Sequence, residues 1–93
     1  MADSKIEHTF TATGASGTLR ITESCFNVSK LGGEGTVILQ RSFDDGVTWH
    51  DVQTMEDDFE GIGKEIDRLV LYRFNCTVYT SGNIDVRLSR GNI

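Results

Sequence analysis

The sequence contains no proline and only two cysteines, Cys25 and Cys76, among 93 residues. Two thiols so far apart are too few for the disulfide framework of a small secreted domain, so we expect both to be buried and reduced, with a single bridge as the alternative. No run approaches the roughly 18 apolar residues of a membrane span, and the first residues lack the apolar core of a signal peptide. We therefore expect a protein that is made and used without export.

Positive charge is also scarce, because nine Lys and Arg residues face fourteen Asp and Glu residues and leave a net charge of −5. This balance argues against electrostatic binding to nucleic acid or to an anionic membrane. A chain of this length forms one two-layer core without room for a deep substrate pocket. We expect a single domain over residues 1–93, with no enzymatic activity and no cofactor.

Apolar and polar residues alternate with the period of a β-strand, and no window of 12 or more residues has a helical apolar stripe. The clearest strands are residues 69–79 and 83–89, which we predict to pair as a C-terminal hairpin across the turn at 80–82. Residues 6–11 and 18–22 predict a second hairpin.

Further strands are predicted at residues 25–29 and 36–43. Residues 51–68 predict two short strands around an acidic loop, with a short helix at 64–69 as the alternative. The sequence thus indicates an all-β fold, a compact antiparallel β-sandwich of seven to eight short strands, of immunoglobulin-like or jelly-roll kind.

The most specific local motif is SFDDGVTW at residues 42–49. We predict a three-residue hairpin with a bulge, in which Asp44 accepts hydrogen bonds from backbone N–H groups two residues on and Gly46 supplies a positive φ. Thr48 then re-enters a strand and Trp49 covers the hairpin. Ser42 completes the pattern Ser-x-Asp-x-Gly-x-Thr-Trp, which resembles the Asp box of sialidases and other β-propeller proteins, where it is a structural hairpin. A propeller needs several such motifs over hundreds of residues, so a sialidase is excluded by length.

Three longer stretches carry a broader resemblance: TFTATG at residues 9–14, GTVILQRSFDDGVTW at 35–49 and YRFNCTVYTSG at 72–82. In this order they resemble small β-rich proteins encoded among the virion genes of tailed bacteriophages. The resemblance implies a structural protein of the virion, assembled in the host bacterial cytoplasm. Such a protein is a capsid decoration or cement protein or a head–tail component, and its partners are major capsid, portal or tail proteins and possible copies of itself.

Three arginines, Arg20, Arg73 and Arg87, occupy outward positions in the predicted strands and form a candidate basic strip for contact with an acidic partner. The alternative is cross-strand pairing with Glu23 or Asp85, which we favour.

The sequence supports a metal site less well than it supports the basic strip. His8, His50, Cys25 and Cys76 lack the close spacing of zinc ligands, so we predict no zinc site. An acidic group could bind calcium if the motif and the acidic loop meet in the fold, although a solvated acidic rim is the preferred interpretation. Its members are Asp44, Asp45, Glu56, Asp57, Asp58 and Glu60.

The rival function is a carbohydrate-binding module, because β-sandwiches present aromatic platforms to sugars and Trp49, Tyr72 and Tyr79 are available. The strand assignments bury the first two and leave Tyr79 outward. We therefore favour protein–protein attachment within a virion.

Overall fold

A computed structural model describes residues 5–68 and 70–90, which form eight β-strands and no helix. The strands are β1 (Lys5–Phe10), β2 (Gly14–Ile21), β3 (Cys25–Leu31), β4 (Glu34–Ser42), β5 (His50–Met55), β6 (Phe59–Lys64), β7 (Val70–Ser81) and β8 (Ile84–Arg90). The two short strands around an acidic loop in the region 51–68 are present as predicted. The alternative helix is wrong for residues 64–68, and Leu69 lies outside the described residues.

The strands form two four-stranded antiparallel sheets, ordered β1-β8-β3-β6 and β2-β7-β4-β5. The all-β sandwich is confirmed. Pairing is nested along the chain, with β1 beside β8, β2 beside β7, β3 beside β6 and β4 beside β5. This nesting is the arrangement of a jelly roll, the second of the two kinds that the sequence left open.

The two hairpins predicted for residues 69–89 and for residues 6–22 are wrong. Strands β7 and β8 lie in different sheets, since β7 pairs with β2 and β4 while β8 pairs with β1 and β3. Strands β1 and β2 are likewise divided between the two sheets. Alternation identifies the buried face of a strand but does not specify its neighbour. The connections at 11–13 and 82–83 carry the chain from one sheet to the other.

The core lies between the sheets and is filled mainly by alternate residues of β1, β2, β3, β4, β7 and β8, whereas β5 contributes Met55 and β6 only the partly buried Phe59. On β7 and β8 the alternation correctly predicts a set of buried positions, namely Tyr72, Phe74, Cys76, Ile84, Val86 and Leu88. It also predicts that Val78 points inward, and this is wrong: Val78 is exposed, because the β4–β7 ladder shifts its register between Cys76 and Val78. Both cysteines are free, and Cys76 is buried. The prediction of burial is wrong for Cys25, which is exposed because Phe26 and Val28 occupy the inward positions of β3.

Connecting segments gather at the two ends of the sandwich. The end that we call the hairpin end holds residues 22–24, 43–49 and 65–68, and the opposite end holds 11–13, 32–33, 56–58 and 82–83. Strand β5 separates the motif from the acidic loop by its six residues, about 20 Å of extended chain. The motif and the acidic loop therefore do not meet, which removes the basis for the calcium site.

Among residues 5–68 and 70–90, no helix is long and apolar enough to cross a membrane.

Candidate functional site

The motif at residues 42–49 forms the connection between β4 and β5, and its side chains bond to its own backbone. The Ser42 hydroxyl donates to Asp44 Oδ1 at 2.7 Å and accepts from the Gly46 N–H at 2.9 Å. Asp44 Oδ1 also accepts from the Thr48 N–H at 2.8 Å, and Trp49 Nε1 donates to the Gly46 carbonyl at 3.0 Å. The structure thus places all five predicted hairpin residues in one network.

Two details differ from the predicted hairpin. Asp44 bonds to the N–H four residues on instead of two, and Thr48 precedes the next strand, which begins at His50. The connection spans seven residues, 43–49, so the carboxylate bridges a wider loop than a three-residue hairpin.

The hairpin's backbone and charge fit this network. Gly46 has a φ of 93° and Asp45 a φ of 64°, both in the left-handed region that glycine and aspartate adopt most readily. The pKa of Asp44 is lowered to about 2, first by the hydrogen bond from the Thr48 backbone and then by the Ser42 hydroxyl, because both stabilise the charged carboxylate.

Two of the three candidate arginines hold this hairpin against the outer face of the second sheet. The Arg73 guanidinium lies 4.2 Å from the centre of the Trp49 ring and donates through Nε to Gln40. Arg20 Nη2 is 2.7 Å from Asp45 Oδ1. Cation–π stacking and an ion pair therefore brace the hairpin from β7 and β2.

Arg87 lies on the opposite face of the molecule. It is on β8 in the first sheet, where its Nε is 3.8 Å from Glu7 Oε2. Each arginine points outward as predicted, but the two outward faces point away from each other. The three therefore do not form one strip. Their acidic partners are also not those expected, because Glu23 pairs with Arg68 and Asp85 accepts a hydrogen bond from Thr9.

A buried carboxylate supports the hairpin end from the core side. Glu65 is fully buried and accepts from Arg41 Nη1 at 3.0 Å, from the Tyr72 hydroxyl at 2.6 Å and from the Asp67 N–H at 3.0 Å. Burial, and then the hydrogen bond to Glu65, raise the pKa of Tyr72 above its ordinary value. Arg41 also stacks over the Phe43 ring, 4.7 Å from its centre. One ion pair thus joins the segment after β6 to the start of the hairpin.

Sequence reasoning missed Glu65, because a glutamate in an irregular segment among other acidic residues carries no sign of burial.

Sequence reasoning also missed Lys30, which is buried at an inward position of β3. The lysine lines an open depression of about 560 Å³ at the end opposite the hairpin, together with Glu34, Glu56, Asp57 and Asp58. The sequence did contain a sign of this burial, because Lys30 lies at the same alternate positions of β3 as Phe26 and Val28.

Three apolar side chains are exposed at the hairpin end: Phe43 at 50%, Val47 at 81% and Ile66 at 75%. We call these three residues the end patch. Phe43 and Val47 belong to the braced hairpin, and Ile66 follows Glu65, whose ion pair with Arg41 links the two segments. The end patch is therefore carried by ordered loops.

The residues considered for other chemistry do not converge. No cluster of three or more His, Cys, Asp or Glu side chains able to hold a metal occurs in the described part of the chain. Of the candidate sugar-binding aromatics, Tyr72 is buried as predicted. The prediction that Tyr79 points outward is wrong, because it is half-buried against the core and its hydroxyl donates to the Gly82 carbonyl. The prediction that Trp49 is buried is also wrong, since this residue is only half-buried. Trp49 has Arg73 against its ring.

Comparison with protein-family models, with curated proteins and with solved structures gives no match for this chain.

Proposed function

We propose that this chain is a non-enzymatic structural protein of a phage virion that attaches to another virion protein through the end patch. The observation that carries the proposal is the exposure of Phe43, Val47 and Ile66 at one end of the sandwich. Exposed apolar surface is suited to contact with another protein, and here three such side chains lie on connections of the same end of the sandwich.

The bracing of the hairpin supports this proposal. A loop that is already ordered loses less conformational entropy on binding than a mobile one. The network of Ser42, Asp44 and Thr48 orders the loop internally, and Arg20 and Arg73 hold it against the sheet. These two arginines therefore act within the chain, and Arg87 remains the member of the original set that could contact a partner.

The phage assignment is supported by the resemblance in residues 9–14, 35–49 and 72–82 to small virion proteins. A decoration or cement protein binds a repeated capsid surface, so a modest interface per copy suffices when many copies bind. The same contact would suit a head–tail component, which docks on a portal or tail protein.

The test is incorporation of the protein into particles of the phage that encodes it. The triple variant F43S/V47S/I66S is expected to be lost from purified particles, measured by mass spectrometry as its ratio to the major capsid protein. Its thermal midpoint should fall only slightly, because Val47 and Ile66 are largely exposed and Phe43 loses mainly its stacking with Arg41. The matched control is L31S/V52S/V78S, which removes three exposed apolar side chains elsewhere and should be incorporated normally.

Two results would contradict the proposal: wild-type occupancy of the end-patch variant, or absence of the wild-type protein from particles. A glycan array separates the carbohydrate-binding alternative. Specific sugar binding that is lost when Trp49 is replaced would favour that alternative over attachment.

A further inference from the structure

Strand β6 is an edge strand of the first sheet. It pairs along its whole length with β3, from Phe59 opposite Lys30 to Lys64 opposite Cys25, without a bulge. Its other side has no partner strand within the described residues. It contains no proline, and its ladder is regular, so it lacks two of the devices that keep an edge strand from pairing with another chain.

The outward side chains of β6 are Glu60, Ile62 and Lys64, and all three are exposed. Ile62 is 87% exposed, more than the other large apolar side chains of the described residues. Neither Glu60 nor Lys64 forms an ion pair with a described residue. The edge thus presents an acid, an apolar side chain and a base at alternate positions.

This order is self-complementary. When two copies of β6 run antiparallel with Ile62 opposite Ile62, Glu60 of each copy faces Lys64 of the other. Two opposite-charge pairs then flank one apolar pair, all on the same face of the joined sheet. The intervening residues are Gly61 and Gly63, whose missing side chains leave space for the Phe59 and Phe26 rings within each copy.

We propose that β6 of a second copy of this chain pairs with β6 in this antiparallel register. The β1-β8-β3-β6 sheets of the two copies then form one continuous eight-stranded sheet. The register follows from the strand's own charges, and it uses none of the residues of the end patch. Self-pairing therefore goes beyond the proposed attachment to a virion protein, and each can fail while the other holds.

The other edges fit this role less well. Strand β2 has an irregularity between Ala15 and Thr18, and the β4–β5 ladder has one between Leu39 and Gln40. On β1, Glu7 is already engaged by Lys5 at 3.2 Å and by Arg87. Among the edges of the described strands, β6 is the one that combines a regular ladder with charges of both signs that form no ion pair with a described residue.

Charge swaps test the register. The single variants E60K and K64E each place like charges opposite one another twice in the dimer, so each should weaken dimerisation about tenfold or more. An equimolar mixture of the two variants should recover dimers, because the edge with two lysines in E60K then faces the edge with two glutamates in K64E. The double variant E60K/K64E should dimerise as the wild type does. The assay is sedimentation velocity over a concentration series that reaches the millimolar range.

A cross-link tests the geometry independently. Directly opposed residues of antiparallel strands have Cα atoms about 4.5–5.5 Å apart, within reach of a disulfide. I62C in a C25S background should therefore form a covalent dimer on mild oxidation, whereas V52C on β5 in the same background should not. The proposal would be overturned if the wild-type protein stayed monomeric throughout the concentration series, or if the charge swaps left the monomer–dimer equilibrium unchanged. Equal cross-linking of the I62C and V52C variants would also overturn it. Loss of particle incorporation by the end-patch variant would be unaffected by any of these results.

Discussion

Replacing Glu65 with leucine should destabilise the whole domain, although the residue lies outside the strands. Its side chain is fully buried and accepts three hydrogen bonds, from Arg41, Tyr72 and the Asp67 N–H. Removing one member of a buried ion pair costs about 3–5 kcal/mol, because the remaining polar groups lose their partner without regaining water.

The contacts place the expected loss near the lower end of that range. The Arg41 side chain is 34% exposed, so water can solvate its charge once the carboxylate is gone. The Tyr72 hydroxyl is buried and would be left without its acceptor, at a cost of about 1–3 kcal/mol. Loss of the Asp67 N–H bond adds about 1 kcal/mol. We expect E65L to lose about 3 kcal/mol of unfolding free energy, which corresponds to a fall of roughly 12–24 °C in the thermal midpoint.

Urea denaturation at neutral pH, followed by Trp49 fluorescence, measures this loss. Y72F removes one donor and leaves Glu65 with two, so it should cost only about 1 kcal/mol. The double variant E65L/Y72F should be more stable than the sum of the single losses implies, because no buried hydroxyl then lacks a partner. A loss below about 1 kcal/mol for E65L, or strict additivity in the double variant, would refute the role of Glu65 as the acceptor at this end.

Three further predictions concern the hairpin and the thiols. G46V should cost about 1–3 kcal/mol in urea denaturation because of the positive φ, whereas G17V, at an open position outside that φ region, should be close to neutral. The pKa of Asp44 is lower in the folded protein than its ordinary 3.8, so its contribution to stability is complete above that pH and is lost as the pH falls towards about 2. D44N should flatten this part of the acid-unfolding curve, and an unchanged curve would contradict the assignment. Ellman's reagent should label Cys25 rapidly in the native protein and Cys76 only after unfolding, so two rapidly labelled thiols would contradict the burial of Cys76.

The faces of the strands could be predicted from the sequence, and their neighbours could not. Side chains alternate with period two along a strand, so Ile84, Val86 and Leu88 identify themselves as inward residues of β8. The pairing of β8 with β1 and β3 depends on how the chain crosses between the two sheets. Strands with the same alternation of apolar and polar residues are compatible with many different strand orders. The turn at 82–83 reads the same in a hairpin as in a crossing from one sheet to the other.

The local part of the site was predictable for a related reason. The hairpin depends on residues within eight positions of one another, so the motif from Ser42 to Trp49 carries its own hydrogen-bond pattern. Its bracing depends on Arg20 and Arg73, which are distant in sequence, and on a sheet order that alternation does not specify. The charges about Ile62 were visible in the sequence, but their meaning required the knowledge that β6 is an edge strand.

Within the proposed virion function, the two proposed surfaces together favour one kind of attachment. Strand β6 ends at Lys64, at the hairpin end of the sandwich, so antiparallel pairing of two copies directs their hairpin ends in opposite directions. A dimer built in this way carries one end patch at each extremity and can contact two partner subunits at once. A decoration protein needs a single contact, whereas a cement protein must connect neighbours across the capsid surface. Dimerisation through β6 combined with docking through Phe43, Val47 and Ile66 would therefore fit a cement protein better than a decoration bound to one subunit.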